Sequence, residues 1–209
     1  DLIKKVGVTL AKECRTEQVS VILGPGVNIK RHPLGGRNFE YFSEDPFLTG
    51  KLASGLIEGI QSEGIGTSIK HFAVNNHETG RMVVDAIVDE RTLREIYLPG
   101  FEIPIKESKP WTVMCSYNKV DGTYLSENQR LLTEILRDEW GFDGIVMTDW
   151  GATNQRIEGI KAGLDLEMPA SSRLNTDRII KAVQSGELSY EKLDACVTRL
   201  LALIIKSRR

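Results

Sequence analysis

Charged and aromatic side chains stand at the points where apolar stretches of this sequence end. Asp149 follows the stretch Ile145–Thr148, and Trp150 comes directly after it. An aspartate at a strand end can act as the covalent nucleophile in glycoside hydrolysis, where a second carboxylic acid protonates the leaving oxygen. Such an aspartate can also cap the next helix. Thr153 and Asn154 are better placed for that task, which favours a chemical role for Asp149.

Four basic side chains accompany these strand ends. Lys70 and His71 lie in the apolar stretch 67–72, whereas Arg37 and Arg81 lie in long loops. Each has an ordinary explanation when taken singly, because a lone histidine often belongs to the core and a loop arginine is usually a solvated surface residue. Taken together, three cations and a histidine converging on one carboxylate suit a hydroxyl-rich substrate.

Other side chains near the same strand ends are apolar or aromatic. Met114 and Tyr117 belong to the apolar stretch 111–117. Two interpretations of Trp150 are possible: it could offer a flat apolar face to the C–H bonds of a sugar, or it could be an aromatic residue of the core. The sequence by itself leaves both open.

Composition argues against several classes of partner and cofactor. The chain has 27 Lys and Arg against 29 Asp and Glu, a formal charge of −2, so no excess of positive charge favours nucleic acid or anionic lipid. The longest apolar runs, such as Leu200–Ile205, are too short to span a membrane. His32, His71 and His77 lack metal-ligand spacing, and no glycine-rich phosphate-binding motif follows a strand. We therefore expect neither a metal nor a nucleotide cofactor.

The three cysteines, Cys14, Cys115 and Cys196, are odd in number and widely spaced, and each lies in an apolar stretch. We expect buried, reduced thiols. Unpaired cysteines favour a cytoplasmic location.

Apolar periodicity predicts strands that alternate with helices. The predicted helices cover residues 2–14, 46–62, 90–108, 126–141, 155–162, 174–184 and 190–206, and the predicted strands cover residues 19–23, 67–72, 111–117, 145–148 and 164–168. Nearly continuous apolar strands between helices indicate a parallel sheet covered by helices, the α/β class. Both an open doubly wound sheet and part of an eight-fold barrel fit this pattern.

Three motifs carry a family resemblance. They are LGPGVNI at 23–29 continuing to GGRNFEYFSEDP at 35–46, KHFA at 70–73, and VMTDWGA at 146–152. In this order the motifs resemble glycoside hydrolase family 3, in its β-glucosidase-like branch. The continuation KHFAVNN departs from the N-acetylglucosaminidase branch of that family, so we disfavour that substrate.

The resemblance implies a retaining hydrolase on a (β/α)8 barrel of the TIM type, which removes a terminal β-linked glucose-type sugar without a cofactor. By motif, Asp149 would be the nucleophile. The resemblance assigns hydrogen bonds with the hydroxyls of the sugar to Arg37, Lys70, His71 and Arg81. It assigns the lining of the same subsite to Met114, Tyr117 and Trp150.

The chain is shorter than the barrel and the acid-bearing domain that the resemblance implies for a complete enzyme. Five predicted strands cannot close an eight-strand barrel, so we expect residues 1–209 to form a single partial barrel domain. The general acid/base of the family usually lies on a second domain after the barrel. We therefore expect the acid to come from missing segments of the parent protein or from a complementary chain, and the 209-residue chain alone to be inactive.

Two other interpretations remain. A carbohydrate-binding or scaffold module could keep the pocket without catalysis, although the presence of Asp149 favours the enzyme. A response-regulator-like or other open α/β domain would have Asp149 as an acidic residue at a strand end, but the sequence lacks the early acidic cluster that phospho-acceptor sites need.

Overall fold

The fold is taken from a computed structural model that describes residues 1–208. The strands are β1 (Val21–Ile22), β2 (Gly66–Phe72), β3 (Asp85–Ala86), β4 (Thr112–Cys115), β5 (Lys119–Val120), β6 (Thr123–Tyr124) and β7 (Ile145–Thr148). The α-helices are α1 (Leu2–Thr16), α2 (Pro46–Ser62), α3 (Glu90–Thr92), α4 (Pro99–Ser108), α5 (Arg156–Ala162), α6 (Leu174–Ser185) and α7 (Tyr190–Lys206). Two segments, Leu93–Tyr97 and Arg130–Glu139, are π-helical, and two short 3₁₀ turns cover Asn38–Glu40 and Leu125–Glu127.

The centre of the fold is a parallel sheet in the order β1, β2, β4, β7. Helices connect these strands, and the strand order follows the chain order without the reversal of a doubly wound sheet. The predicted α/β class with an incomplete TIM-type barrel is therefore confirmed. Ile69, Val113 and Val146 pair across three neighbouring strands and are fully buried. Their continuous apolar character is typical of strands that are covered on both faces.

The fifth predicted strand, 164–168, is reduced to a single parallel bridge between Leu166 and Met147. The backbone N–H of Val146 donates to the carboxylate of Asp165 at 2.8 Å. The next ladder contact is the N–H of Thr148, which donates to the carbonyl of Leu166. The prediction of a full strand is wrong here because a side chain takes part of the hydrogen bonding that a backbone ladder needs.

A second, smaller sheet in the order β3, β5, β6 was not predicted. It lies partly within the long loop after β2, and β5 and β6 form an antiparallel hairpin. Asp121 and Gly122 both have positive φ, 47° and 86°, which matches the two-residue turn that Asp-Gly favours. Two-residue strands are too short for an alternating pattern to stand out in the sequence.

The predicted helix 90–108 is interrupted. Leu98 donates its N–H to the carbonyl of Leu93, one residue further than in an α-helix, and Pro99 then starts α4. Proline has no N–H to donate, so the α-helical ladder cannot run through this point. By contrast, α2 begins at Pro46 as predicted, with the side chain of Asp45 accepting from the N–H of Leu48 at 2.6 Å.

One large apolar cluster lies between the sheet and the helices around it. Phe72 packs edge-on against Phe101 and Trp140, with ring centroids 5.2 Å and 6.0 Å apart. Cys14, Cys115 and Cys196 are buried and unpaired, as predicted. Within residues 1–208, no helix is both long and apolar enough to cross a membrane. The cluster fixes the carboxyl end of β2, from which two candidate site residues extend.

Candidate functional site

Asp149 lies immediately after β7, with its carboxylate at the carboxyl edge of the sheet. Its backbone N–H donates to the carbonyl of Cys115 at the end of β4. Its Oδ1 accepts from the Trp150 N–H at 2.7 Å and lies 3.1 Å from the hydroxyl of Tyr117. Asp149 does not cap α5, which begins at Arg156. The helix-cap alternative is therefore excluded, and one carboxylate oxygen is firmly anchored.

The other oxygen, Oδ2, has only long contacts. Nη1 of Arg37 and Nε2 of His71 each lie 3.5 Å from it. A good N–H···O hydrogen bond is about 2.9 Å long, so both contacts are weak. The two oxygens of Asp149 are therefore held differently: Oδ1 is fixed by close contacts, whereas Oδ2 is largely free.

Thr153 and Asn154 do not cap α5, so the prediction that they do is wrong. The side-chain amide of Asn154 donates to the carbonyl of Ala152. The cap position is Gln155, whose backbone N–H donates to the carboxylate of Glu127. The contact with Glu127 joins residues 28 positions apart, which the local sequence does not reveal.

The three cations do not all converge on Asp149. Glu40 stands between two of them: its Oε1 accepts from Nε of Arg37 at 2.5 Å, and its Oε2 lies 3.2 Å from Nζ of Lys70. Burial by itself would raise the pKa of Glu40, but the Arg37 hydrogen bond and the Lys70 charge outweigh it and hold that pKa below 4.5. Sequence reasoning missed Glu40, although its spacing of three residues from Arg37 was a signal for an ion pair.

His71 is fully buried and held at several points. The side chain of Asn28 accepts from the N–H of His71 and donates to its carbonyl, at 2.9 Å and 3.0 Å. The hydroxyl of Tyr41 lies 3.1 Å from Nδ1 of the ring. Burial, reinforced by the charges of Arg37 and Lys70, lowers the pKa of His71 to about 2. The ring is therefore neutral.

Lys70 and His71 are neighbours in β2, and adjacent strand residues normally point to opposite faces. Here both side chains reach the same site. The pairing of β2 with β4 changes register between Lys70 and Phe72, and an irregularity of this kind re-aims side chains.

Arg81 lies at the other side of Tyr117. Its guanidinium carbon is 4.6 Å from the centre of the Tyr117 ring, and its Nη1 lies 2.9 Å from Oε2 of Glu78. Burial and the neighbouring charge of Asp149 raise the pKa of Tyr117. The phenol therefore keeps its proton and serves as a donor. Arg81 reaches the site through Tyr117 rather than through Asp149.

Trp150 and Met114 differ in exposure. Trp150 is 65% exposed and lies beside Asp149, so the interpretation of Trp150 as a core aromatic residue is excluded. Met114 is 3% exposed and packs with Ile145 and Met147 in an apolar cluster. The site thus has an open indole at its rim, whereas Met114 lies within the packed interior.

Among residues 1–208, no group of three histidine, cysteine, aspartate or glutamate side chains is arranged so that it could hold a metal ion. What the site does assemble is a carboxylate with one free oxygen, a neutral histidine, a bridged pair of cations and an exposed indole.

Comparison with known sequences shows to which protein family this chain belongs. Residues 1–203 match the family described as "Glycosyl hydrolase family 3 N terminal domain". The chain belongs to glycosyl hydrolase family 3.

Relatives in this family are much longer than the chain. Thermostable beta-glucosidase B of Acetivibrio thermocellus is 56% identical over 204 residues, which are 98% of this chain and 27% of that protein. The exo-alpha-(1->6)-L-arabinopyranosidase of Bifidobacterium longum is 55% identical over 208 residues, again 27% of its length. The chain spans about a quarter of the curated relatives it matches.

Solved structures of the family have the same fold over this region. A GH3 beta-glucosidase of Bifidobacterium adolescentis superposes with a TM-score of 0.97 and 53% identity, over all of this chain and 31% of that one. Beta-glucosidase 3B of Thermotoga neapolitana, solved in complex with glucose, gives a TM-score of 0.95 and 51% identity over 99% of this chain and 30% of the other.

Proposed function

We propose that this chain is the nucleophile-bearing part of a retaining β-glucosidase, with Asp149 as the nucleophile. The observation that carries the proposal is the unequal treatment of the two oxygens of Asp149. Oδ1 is anchored by the Trp150 N–H and the Tyr117 hydroxyl, whereas Oδ2 has only contacts of 3.5 Å. A nucleophile needs this combination of fixed direction and a free lone pair.

In the first step, Oδ2 attacks the anomeric carbon and the glycosidic C–O bond breaks. The leaving oxygen takes a proton from a carboxylic acid, and a glycosyl ester of Asp149 remains. In the second step, the external group that protonated the leaving oxygen is now a carboxylate, and it takes a proton from a water molecule. That water attacks the anomeric carbon, and the ester bond to Asp149 breaks. Asp149 is then regenerated and the sugar leaves with its original configuration.

The acid in these steps comes from outside the chain. The carboxylate that bridges Arg37 and Lys70 is Glu40, and its pKa is held below the ordinary value. A general acid must keep its proton near neutral pH, for which a raised pKa is required. Glu40 is therefore unsuited to the role, and it acts by holding Arg37 and Lys70.

The substrate-binding residues are those that the family resemblance implies. Arg37, Lys70 and Arg81 carry N–H groups that can donate to sugar hydroxyls, and Tyr117 and His71 border the same carboxylate. Trp150 offers its exposed indole to the sugar's C–H bonds. Met114, which packs in the buried apolar cluster with Ile145 and Met147, completes the lining of the subsite.

The substrate is a terminal β-D-glucoside. Two relatives support this class by name, a thermostable beta-glucosidase B and a Beta-glucosidase B, at 56% and 50% identity. The arabinopyranosidase relative at 55% identity marks the nearest alternative. An α-L-arabinopyranoside also has an equatorial anomeric bond, so the same attack on C1 would serve it.

Further polypeptide completes this single partial barrel domain. In the described sheet, β1 stands at one edge, and the bridge at Leu166 lies beyond β7 at the other. Leu2, Leu201 and Ile205 on α1 and α7 are more than half exposed. Open edges and exposed apolar side chains need covering. The parent polypeptide or a complementary chain supplies this cover together with the acid.

The test is a chimera in which residues 1–203 replace the matching segment of the Acetivibrio thermocellus enzyme. Hydrolysis of an aryl β-D-glucoside is measured for the chimera, for Asp149→Asn, and for Asp194→Asn, a control on the exposed side of α7. We expect Asp149→Asn to lose roughly 10⁴-fold in kcat and Asp194→Asn to lose nothing. A 2-fluoro glucoside that traps the ester should label the peptide containing Asp149.

Other outcomes separate the alternatives. Glucose binding that survives Asp149→Asn in a chimera without turnover supports the carbohydrate-binding module. Preference for an aryl α-L-arabinopyranoside would replace the substrate but keep the mechanism. Robust turnover by the 209-residue chain alone would place the acid inside the chain and contradict the proposal.

A further inference from the structure

The two ring nitrogens of His71 face different partners. Nδ1 lies 3.1 Å from the hydroxyl of Tyr41, whereas Nε2 lies 3.5 Å from Oδ2 of Asp149 and has no hydrogen-bond partner among the described residues. Both His71 and Tyr41 are buried. The hydroxyl of Tyr41 can donate to Nδ1 or accept from it, whereas the carboxylate of Asp149 can only accept, so the two contacts together determine which nitrogen carries the proton.

Electrostatics selects one of the two tautomers. An unprotonated Nε2 would direct its lone pair at the carboxylate of Asp149, and two acceptors facing each other repel. A protonated Nε2 directs an N–H at Oδ2, and Nδ1 is then free to accept from the Tyr41 hydroxyl. The two contacts are consistent with each other only in this arrangement.

We propose that Tyr41 is a positioning residue, which donates to Nδ1 and so fixes His71 as the Nε2–H tautomer facing the nucleophilic oxygen. This inference rests on the proposed function, because it assigns a role to Tyr41 in the reaction of Asp149. It adds a residue that touches neither the sugar nor the nucleophile.

The surroundings hold Tyr41 in place. Gly26 lies against its ring: a Cβ at that position would come within 2.9 Å of Cδ1 of Tyr41, so only glycine leaves the space. The rings of Tyr41 and His71 meet edge-on with centroids 6.1 Å apart. On the other side, Asn28 fixes the backbone of His71 through two hydrogen bonds. Ring and backbone are therefore fixed by different residues.

Burial also keeps the protons where this arrangement needs them. It lowers the pKa of His71 to about 2, so the ring carries a single N–H throughout the working range. It raises the pKa of Tyr41 above its ordinary value, so the phenol remains a donor. A donor that is neutral at every working pH can direct Oδ2 without forming a tight ion pair with it.

The experiment uses Tyr41→Phe, which removes the hydroxyl and keeps the ring. Tyr97→Phe is the control, because it removes the same hydroxyl from a partly buried tyrosine that has no role in the site. Kinetics are measured in the chimera. The tautomer is read from ¹⁵N chemical shifts of the histidine rings in the same chimera, with the His71 signal assigned by its loss in His71→Gln.

We expect Nε2 to be the protonated nitrogen in the unmutated chain, and a mixture of tautomers in Tyr41→Phe. We expect kcat of Tyr41→Phe to fall about 10-fold with KM nearly unchanged, because Oδ2 is used in the chemical step. A purely structural role would lower the folded fraction but leave kcat of the folded enzyme unchanged.

Two results would overturn the inference: an Nδ1–H tautomer in the unmutated chain, or an unchanged kcat in Tyr41→Phe. The ¹⁵N measurement on the unmutated chain does not require the variant to fold. Failure of the proposed function gives a different result, because an inactive chimera still leaves the tautomer of His71 measurable.

Discussion

Asp149 and Asp165 are two buried aspartates, one after β7 and one beside it, and their hydrogen bonding differs sharply. The carboxylate of Asp165 accepts from Arg137, from the N–H of Val146 and twice from Arg199, all at 2.8 to 2.9 Å. Both of its oxygens are satisfied. On Asp149, short contacts reach only Oδ1, and Oδ2 is left with contacts of 3.5 Å.

The difference separates a structural carboxylate from a chemical one. Asp165 is 1% exposed, and its backbone carbonyl is also bonded, to Arg156 at 2.8 Å. With every acceptor position used, it ties α7 and the segment before β7 to the sheet. Burial alone therefore does not mark a reactive carboxylate. The informative feature is an oxygen that the surrounding structure leaves without a strong donor.

The largest expected effect concerns Asp165. Asp165→Asn leaves Arg137 and Arg199 without their counter-charge in a nearly dry position, which commonly costs about 3–5 kcal/mol. Asp149→Asn should change the free energy of unfolding by less than about 1 kcal/mol. Urea unfolding of the 209-residue chain, followed by circular dichroism, measures both. Equal losses in the two variants would contradict the distinction.

The next effect tests the anchored oxygen of Asp149. Tyr117→Phe removes the hydroxyl that lies 3.1 Å from Oδ1 and 3.0 Å from the Trp150 carbonyl. Because a misplaced nucleophile can cost about 100-fold, we expect kcat in the chimera to fall by that order. Tyr124→Phe, on the small sheet, is the control. A kcat within twofold of the parent would show that Oδ1 needs no such anchor.

A smaller effect is expected at Glu40, which bridges Arg37 and Lys70. Glu40→Gln removes one charge of the bridge, and we expect kcat/KM to fall about 10-fold, or about 1.4 kcal/mol. Glu44→Gln, on the same loop but exposed, is the control. The variant also has a pH signature. The pKa of Glu40 is lowered by folding, so its contribution to stability is present above pH 4.5 and is lost as the pH falls through the folded value.

Thus the difference in unfolding free energy between the parent chain and Glu40→Gln should be constant near neutral pH and shrink below pH 4.5. A difference that grows on acidification would show that the bridge does not stabilise the charged form.

The smallest effect is the acid sensitivity contributed by His71. Its pKa is about 2 in the folded chain and 6.5 when unfolded, so only the unfolded chain binds a proton as the pH falls below 6.5. Between pH 6.5 and 5.5 the folded state should lose about 1 kcal/mol through this ring. His71→Asn should reduce that slope. The measurement is urea unfolding at both pH values, and an unchanged slope would mean that the folded ring also takes up the proton.

Much of the fold could be predicted because its signals are local. The apolar stretches at 67–72 and 145–148 and the helix starting at Pro46 appear where the periodicity indicated. The small sheet of β3, β5 and β6 was missed because each strand has two residues, although Asp121-Gly122 is a strong turn signal. The strand predicted at 164–168 does not form in full, because the side chain of Asp165 accepts from the N–H of Val146, which a neighbouring strand would otherwise use. The apolar pattern cannot reveal this contact.

The α/β class, the family resemblance and the place of Asp149 at a strand end can be derived from the sequence, because strand and helix periods and motifs depend on neighbouring residues. Three features are visible only in the folded chain: Oδ2 of Asp149 lacks a close donor, Glu40 rather than Asp149 pairs with Lys70, and Tyr41 contacts His71. These contacts join residues 30 or more positions apart, and hydrogen bonds of that kind depend on the packed positions of several elements at once.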